Sequence, residues 1–341
     1  MRGSPDLRVV FGRLNVLGVV LRTAVWVAAS VLVLVTALPL LPSNAWWIRV
    51  WDFPRVQVAA LLTVIGAGAV LAPDRRSPAT RILLLALTLA LSLQLFRVLP
   101  YTPLFPVQAE RAEVCAGASR LRLLVANVLM TSRRAEPLLD LVALQKPDLV
   151  LLVETDAWWD EQLAPLKANY PHHVARPRSD FYGLHLFSRF ELVDPQVRFL
   201  IDGYVPSLRT GVRLPSGALV DLHGVHPKPP PHQDTARRDA ELLITALEVR
   251  DTTVAPSIVA GDLNDVAWSR TTRLFQTIGG LLDPRIGRGS YPTYNANWPL
   301  LRWPLDHVFF EPAFHLMGIS VEGDIGSDHF PVLAVLCHEP E

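Results

Sequence analysis

The chain has 341 residues and no net formal charge, 32 basic side chains balancing 32 acidic ones, and half of its residues are apolar. That length admits one large domain or two smaller ones, and a mean hydropathy of +0.27 is too high for an ordinary wholly soluble composition.

The apolar excess sits at the N-terminus. Residues 14–38 are nearly continuous hydrocarbon, interrupted mainly by Asn15 and Arg22; residues 56–72 and 82–99 form two further runs, the last broken by Gln94 and Arg97. A helix needs about 17–25 predominantly apolar residues to cross a bilayer. A cleaved signal peptide has a shorter apolar region, about 7–15 residues. Three such runs followed by none also do not suit a globular core. Residues 1–100 are therefore predicted to be a membrane anchor with three transmembrane helices, at about 14–38, 56–72 and 82–99. Arg22 and Arg97 lie near span ends, where a long side chain reaches the headgroups.

Arginines set the orientation. Arg2, Arg8 and Arg13 precede the first run, and Arg75, Arg76 and Arg81 fill the second loop. The first loop has Arg49 and Arg55 beside the interfacial cluster Trp46, Trp47 and Trp51. The positive-inside rule puts the N-terminus in the cytoplasm. Three spans then deliver everything after Pro100 to the extracytoplasmic side of a cell (inner) membrane. Cys115 and Cys337 both fall in that outer portion, where they either join its two ends in a disulfide or stay unpaired as small hydrophobes.

Neutrality hides an asymmetry. The first hundred residues carry ten Arg and three acids, +7; the rest carry 22 basic and 29 acidic side chains, −7. A polyanion such as duplex DNA is gripped by a basic surface, so this balance argues against strong non-specific binding of nucleic acid.

Residues 101–119, with Pro103, Pro106 and Gly117 and no period, read as a linker. The domain at 120–341 then alternates short apolar runs with polar loops. Strands are predicted at 121–126, 149–153, 184–187, 218–225, 257–260, 306–310 and 332–336. Helical spacing occurs at 138–145 and 234–250. Residues 227–231, Pro-Lys-Pro-Pro-Pro, form a stiff loop. Strands joined locally and outnumbering helices favour a layered α/β sandwich.

Polar groups gather where these strands end. Asn127 follows LRLLVA, Glu154 follows PDLVLLV, His226 follows DLHGV, and Asp262 and Asn264 follow SIVAG. Asp306-His307 open one strand, and Ser327-Asp328-His329 precede another. Each alone has an innocent reading as a turn or capping residue. Six strands delivering a carboxylate, amide or imidazole at the same kind of position do not. That set suits metal-assisted hydrolysis of a phosphate ester. Mg²⁺ prefers carboxylate oxygens and keeps several waters, so one or two acids hold it. Glu154 and Asp328 are the expected ligands, with Asn127 on a metal-bound water or the phosphate. His329 oriented by Asp306 is the expected base.

In order, the motifs N at the end of the first strand, P-D-(apolar)₄-E, S-R, H-P, G-D-x-N, D-H and S-D-H-x-P resemble the endonuclease/exonuclease/phosphatase superfamily, which includes DNase I, abasic-site endonucleases, inositol polyphosphate phosphatases and neutral sphingomyelinases. The resemblance covers about residues 120–338. It implies a DNase I-like four-layered α/β sandwich, here preceded by three transmembrane helices. It implies Asn127, Glu154 and Asp328 at a Mg²⁺ (or Mn²⁺) site and His226 contacting the phosphate near the leaving group. Asp262 and Asn264 would orient the attacking water and bind the scissile phosphate, and Asp306 would orient His329. Whether His329 or Asp262 is the base stays open. His185 departs from the family pattern, as a specificity element or a filler; His172, His173 and His232 are candidates for the mouth of the site; Asp265 reads as a turn or helix-capping residue.

Anchor plus outer catalytic domain is similar to membrane-anchored bacterial VanJ-like members, which implies a lipid-linked phosphate ester, pyrophosphate or phosphodiester as substrate and the lipid bilayer as partner. The alternatives are a nuclease acting on extracytoplasmic nucleic acid and a non-catalytic scaffold; no metal or base residue of the motifs is missing, which weighs against the scaffold.

Overall fold

The computed structural model describes residues 7–71, 76–229 and 234–339; Arg2, Arg75, Pro230, Pro231 and His232 lie outside them. The chain divides into two compact units, one of residues 1–43 and 48–98, the other of residues 44–47 and 99–341.

The first unit is helical: α1 (Leu7–Ala37), the second half of the single turn α2 (Trp46–Arg49), α3 (Arg55–Leu71) and α4 (Pro78–Val98). Leu32, Val35, Leu62, Leu83 and Leu87 pack between α1, α3 and α4. Gln94, which interrupts the last apolar run, finds polar partners there. Gln94 donates to Thr36 Oγ1 at 2.9 Å and accepts from Arg55 at 2.9 Å, and Arg55 also pairs with Asp52 at 2.5 Å. Buried polar groups need such partners, which explains Gln94 in an otherwise apolar run. Two stretches, Arg22–Leu40 and Pro78–Tyr101, are long and apolar enough to cross a membrane. The middle run differs from the expectation of a third independent span. α3 has 17 residues and meets the preceding segment Trp46–Asp52 at a 72° bend, so it qualifies only together with that segment.

The second unit holds β1 (Arg120–Asn127), α5 (Glu136–Gln145), β2 (Leu149–Val153), α6 (Ala157–Gln162), β3 (His172–Arg176), β4 (Leu184–Ser188), β5 (Glu191–Arg198), β6 (Ser207–Arg213), β7 (Leu219–Val225), α7 (Ala236–Asp251), β8 (Ser257–Asp262), α8 (Arg270–Gly279), β9 (Asp306–Phe310), β10 (Phe314–Val321) and β11 (Val332–His338). They form a six-stranded sheet, order β10-β11-β1-β2-β4-β3, and a five-stranded sheet, order β5-β6-β7-β8-β9. β1 and β2 are parallel, as are β7 and β8; every other pair is antiparallel.

Side chains alternate across a strand, and that alternation builds the layers. Leu121, Leu123, Val125 and Leu151 face Leu208, Leu222, Ile258 and Phe310 between the sheets. The intervening Leu124, Ala126, Val150 and Leu152 pack on Leu138 and Val142 of α5 and Trp159 of α6. Val259 and Phe309 pack on Leu242 and Ala246 of α7 and Phe275 of α8. The result is helices, sheet, sheet, helices. Each fully buried Leu or Phe contributes roughly 1.5–3 kcal/mol by leaving water.

Residues 99–119 are irregular but tied down. Tyr101 is buried and donates to Ala267 O at 2.8 Å, Ala109 lies in the inter-sheet core, and Cys115 forms a disulfide with Cys337 of β11. This resolves the cysteine alternative in favour of pairing. The topology also fixes one decisive edge. The C-terminal ends of β1, β2, β7 and β8 and the N-terminal ends of β9 and β11 lie together there.

Candidate active site

Glycine makes that edge accessible. Gly261 has φ +143°, and a Cβ on it would lie 1.9 Å from the Val225 carbonyl oxygen. Only a residue without a side chain lets β8 approach β7 this closely, and Asp262 is thereby placed at the strand's end with its side chain buried.

Asn127 sits at the centre. Its Nδ2 donates to Glu154 Oε1 at 2.8 Å and to Asp262 Oδ2 at 3.0 Å, while its Oδ1 accepts from Leu129 N at 3.0 Å. Its amide nitrogen, not its oxygen, therefore faces the carboxylates. Glu154 occupies a left-handed backbone position, φ +63°. The next residue, Thr155, is clamped by Arg178 N at 3.0 Å and by His185 at 2.8 Å. Burial pushes the Glu154 carboxyl up to about 7; neighbouring Asp262 and Asp328 add to this and the Asn127 hydrogen bond opposes it.

Asp262 is flanked by two imidazoles: its Oδ2 lies 3.7 Å from Nε2 of His226 and 3.7 Å from Nε2 of His329. His226 is buried, and burial lowers its pKa, with Asp262 opposing. His329 Nδ1 is 2.7 Å from Asp306 Oδ2. Burial pulls its pKa down, but Asp306 and Asp262 outweigh that and raise it to about 10. His329 is thus an imidazolium at neutral pH, which suits it better to stabilise charge or give up a proton than to accept one. Ser327 braces the pair: it donates to Asn127 O at 2.8 Å and accepts from His329 N at 3.1 Å.

Asn264, at φ +51°, donates to Pro227 O at 3.0 Å and its N–H to Asp262 Oδ1 at 2.9 Å. It ties the β8 end to the His226 loop. Arg238 of α7 holds it from behind through Asn264 O at 2.8 Å. Asp265 is not itself the cap of α8: Ser269 is, accepting from Thr272 N at 3.0 Å, and Asp265 braces that cap by accepting from the Ser269 and Thr272 hydroxyls and from Val266 N in the turn before it.

Asn127, Glu154, His226, Asp262, Asn264, Asp306 and His329 are thus linked by the contacts given. Asp328 is half-buried between them, and it acts on Glu154 and His329 through its charge. The other described candidate histidines, His172, His173 and His185, are elsewhere, and His232 lies outside the described residues. His185 is fully buried, bonded to Thr155 and to Asp160 at 3.1 Å, so it supports the Glu154 turn and does not line the mouth. His172 and His173 pair with Ser188 and Phe187, at the edge remote from Glu154. Two aromatic neighbours were not legible beforehand: Tyr294 lies 4.9 Å from the His329 ring and Tyr182 5.9 Å from the His226 ring. Neither stands at a strand end after an apolar run, the only signal available.

The residues fit a divalent cation. Asp262 and Asp328 both act on Glu154 through their like charge, and Asp306 Oδ1 is buried with no hydrogen-bond partner among the described residues. One oxygen or nitrogen from each of Asp262, Asp306 and His329 also lies within 4.8 Å of the other two. Hard oxygen donors of this kind suit Mg²⁺ or Mn²⁺.

Two mixed sheets with a carboxylate–imidazole cluster on their shared edge define the phosphate-ester hydrolase class. A family model described as the Endonuclease/Exonuclease/phosphatase family matches residues 124–329, and the chain belongs to this family. Solved structures share its fold at low identity. D. rerio TDP2 complexed with single strand DNA product is 20% identical with a TM-score of 0.53, over 64% of this chain and 99% of that one. The human Nocturnin catalytic domain with bound sulfate is 18% identical, TM-score 0.54, over 66% and 96%. An endonuclease/exonuclease/phosphatase from Beutenbergia cavernae is 22% identical, TM-score 0.52, over 65% and 72%. No curated protein matches the chain.

Proposed function

We propose that the protein is a Mg²⁺-dependent phosphoesterase, anchored by its N-terminal helices with the catalytic domain on the extracytoplasmic face, and that it hydrolyses a lipid-linked phosphate ester, pyrophosphate or phosphodiester. The observation that carries the chemistry is Asp262 Oδ2 lying 3.7 Å from two imidazoles while Asn127 couples it to Glu154. Glu154 and Asp328 would hold the metal, with Asn127 fixing Glu154. When bound, the metal polarises the phosphoryl oxygen and neutralises charge.

Asp262 orients the attacking water and takes its proton as the water oxygen bonds to phosphorus. The protonated His329, held by Asp306, faces the phosphoryl oxygens and stabilises the charge they gain. His226 stands beside the leaving oxygen as a neutral hydrogen-bond partner, and that oxygen departs with the bonding pair and takes its proton from water.

Membrane placement is supported by the two apolar helices, by the arginine distribution and by a disulfide that needs an oxidising compartment. The acidic balance of residues 101–341 favours lipid-linked substrates over polymeric nucleic acid. A nuclease reading rests on the fold likeness to D. rerio TDP2 bound to a single strand DNA product. Full-length protein in detergent, given polyprenyl pyrophosphate or plasmid DNA with Mg²⁺, separates the two. Phosphate release that His329→Ala abolishes supports the proposal. DNA cleavage without phosphate release favours the nuclease, and no Mg²⁺-dependent turnover of either refutes catalysis.

A further inference from the structure

The edge that carries the site also carries apolar side chains on two loops, one on each side of it. The loop at 294–303 is rooted at the active site: Tyr294 lies 4.9 Å from His329, and Ala296 N donates to Asp328 O at 2.8 Å. It closes on itself through Trp298 N to Asn295 O at 3.2 Å and Leu301 N to Trp298 O at 3.0 Å. At its tip Trp298 is 63% exposed and Leu301 44%. Opposite, Tyr204 packs 5.7 Å from Tyr182, itself 5.9 Å from His226. Phe181, Phe199 and Ile201 on the same side are exposed as well.

Charge on this rim is one-sided. Residues 294–303 contain no acid and one cation, Arg302, which donates to Asn295 O and Ala296 O. On the other side, Asp180 is paired with Arg178 and Asp202 with Arg237, while Lys228 stands over the Tyr204 ring. Single exposed apolar residues are ordinary: Leu144 ends α5 and Val254 precedes β8, each alone at the remote edge. A Trp at a loop tip, apolar residues on both sides of a catalytic edge and an excess of cations are the composition of a surface that sits in the headgroup layer.

We infer that these two loops dock the active-site edge on the bilayer surface, so that the site takes a phosphate presented at the headgroup level by a lipid whose tail stays in the membrane. The inference rests on the membrane placement proposed above and deepens it. Trp298 and Leu301 enter the interface, Lys228 and Arg302 meet anionic headgroups, and Asp262, His226 and His329 face the phosphate between them.

The test uses the full chain reconstituted in phosphatidylcholine–phosphatidylglycerol vesicles. Both native cysteines are in the disulfide, so Trp298→Cys and Leu144→Cys each introduce one thiol for an environment-sensitive fluorophore. Nitroxide groups on the lipid acyl chains should quench the probe at 298 several-fold more than that at 144, and Arg302→Glu should weaken that quenching. Equal quenching at the two positions overturns the inference. So does a buried probe signal at 298 that persists in detergent and rises with protein concentration, which is contact between two copies of the chain. Hydrolysis of soluble bis(4-nitrophenyl) phosphate by the same samples reads catalysis separately. Turnover with equal quenching removes the docking alone, and selective quenching without turnover removes the phosphoesterase reading alone.

Discussion

His329 Nδ1 lies 2.7 Å from Asp306 Oδ2, both side chains buried, and the pair presents Nε2 toward Asp262. The carboxylate fixes which imidazole nitrogen faces the site and keeps the ring charged, against the opposing effect of burial.

Asp306→Asn preserves shape but removes that charge. Catalysis should fall about 10²–10⁴-fold, as expected when an imidazole loses its orienting carboxylate. Stability should change in a pH-dependent way. A histidine whose folded pKa is raised, here to about 10 from an ordinary 6.5, contributes stability that is fully present below the unfolded value and is lost as pH rises through the folded one. In chelator, urea melts of wild type and variant should therefore differ most below about pH 6.5 and converge toward pH 10. A constant difference would show that Asp306 acts only through packing.

Metal affinity should depend on Glu154's proton. Burial and its carboxylate neighbours raise the group to about 7, and a ligand must be deprotonated to bind. Apparent Mg²⁺ affinity should rise by up to about tenfold per pH unit below neutrality and level off above it. Glu154→Gln should bind Mg²⁺ weakly at every pH. Calorimetric titration at several pH values checks both, and a flat profile in the wild type would remove Glu154 from the ligand set.

What was legible beforehand follows burial. β1, β2, β8 and β11 are central strands with continuous apolar runs, and β4 and β9, the latter an edge strand, are buried along their whole length. β3, β5 and β10 are edge strands, half exposed and without that signal; β5 even contains Pro195, which an edge tolerates. β6 escaped because Arg209 and Gly211 interrupt it: Arg209 pairs with Asp221 of β7, and a Cβ at Gly211 would come within 3.0 Å of Leu219. Glu154, Asp262 and Asp306 stood out because acids directly after or before buried strands are rare. Tyr182, Tyr294 and the Arg238 support of Asn264 depend on loops distant in sequence meeting at the site, or on a helix's inner face, which no local pattern encodes.

Gly261→Ala tests the close approach of β8 to β7. The added Cβ would lie 1.9 Å from Val225 O at a φ of +143°, so the strand must shift and Asp262 with it. The cost should exceed about 2 kcal/mol, within the range for strain at a special backbone position. Gly203→Ala, with nothing within 4 Å, should be nearly neutral. Thermal melts of the two variants with the wild type decide it; equal midpoints would show that the strands can separate freely.

The Cys115–Cys337 disulfide closes a span of 222 residues and joins the entry segment to the end of β11. Cys337 lies at the end of β11 remote from Asp328 and His329, because it pairs with Arg120 at the start of β1 while the site lies beyond Asn127. Its loss should therefore lower stability without altering the catalytic geometry. Removing a native disulfide costs about 2–5 kcal/mol, and in a domain of this size each kcal/mol moves the melting point by roughly 2–4 °C. Cys115→Ser/Cys337→Ser should thus melt about 4–20 °C below the oxidised wild type while hydrolysing a soluble phosphodiester at an unchanged rate in the cold. The reductant-treated wild type should match the double variant. An unchanged melting point would mean that the hydrogen bonds and buried residues of the segment, such as Tyr101, Gln108 and Ala109, hold it without the disulfide, and a lost rate in the cold would mean that the far end of β11 positions His329.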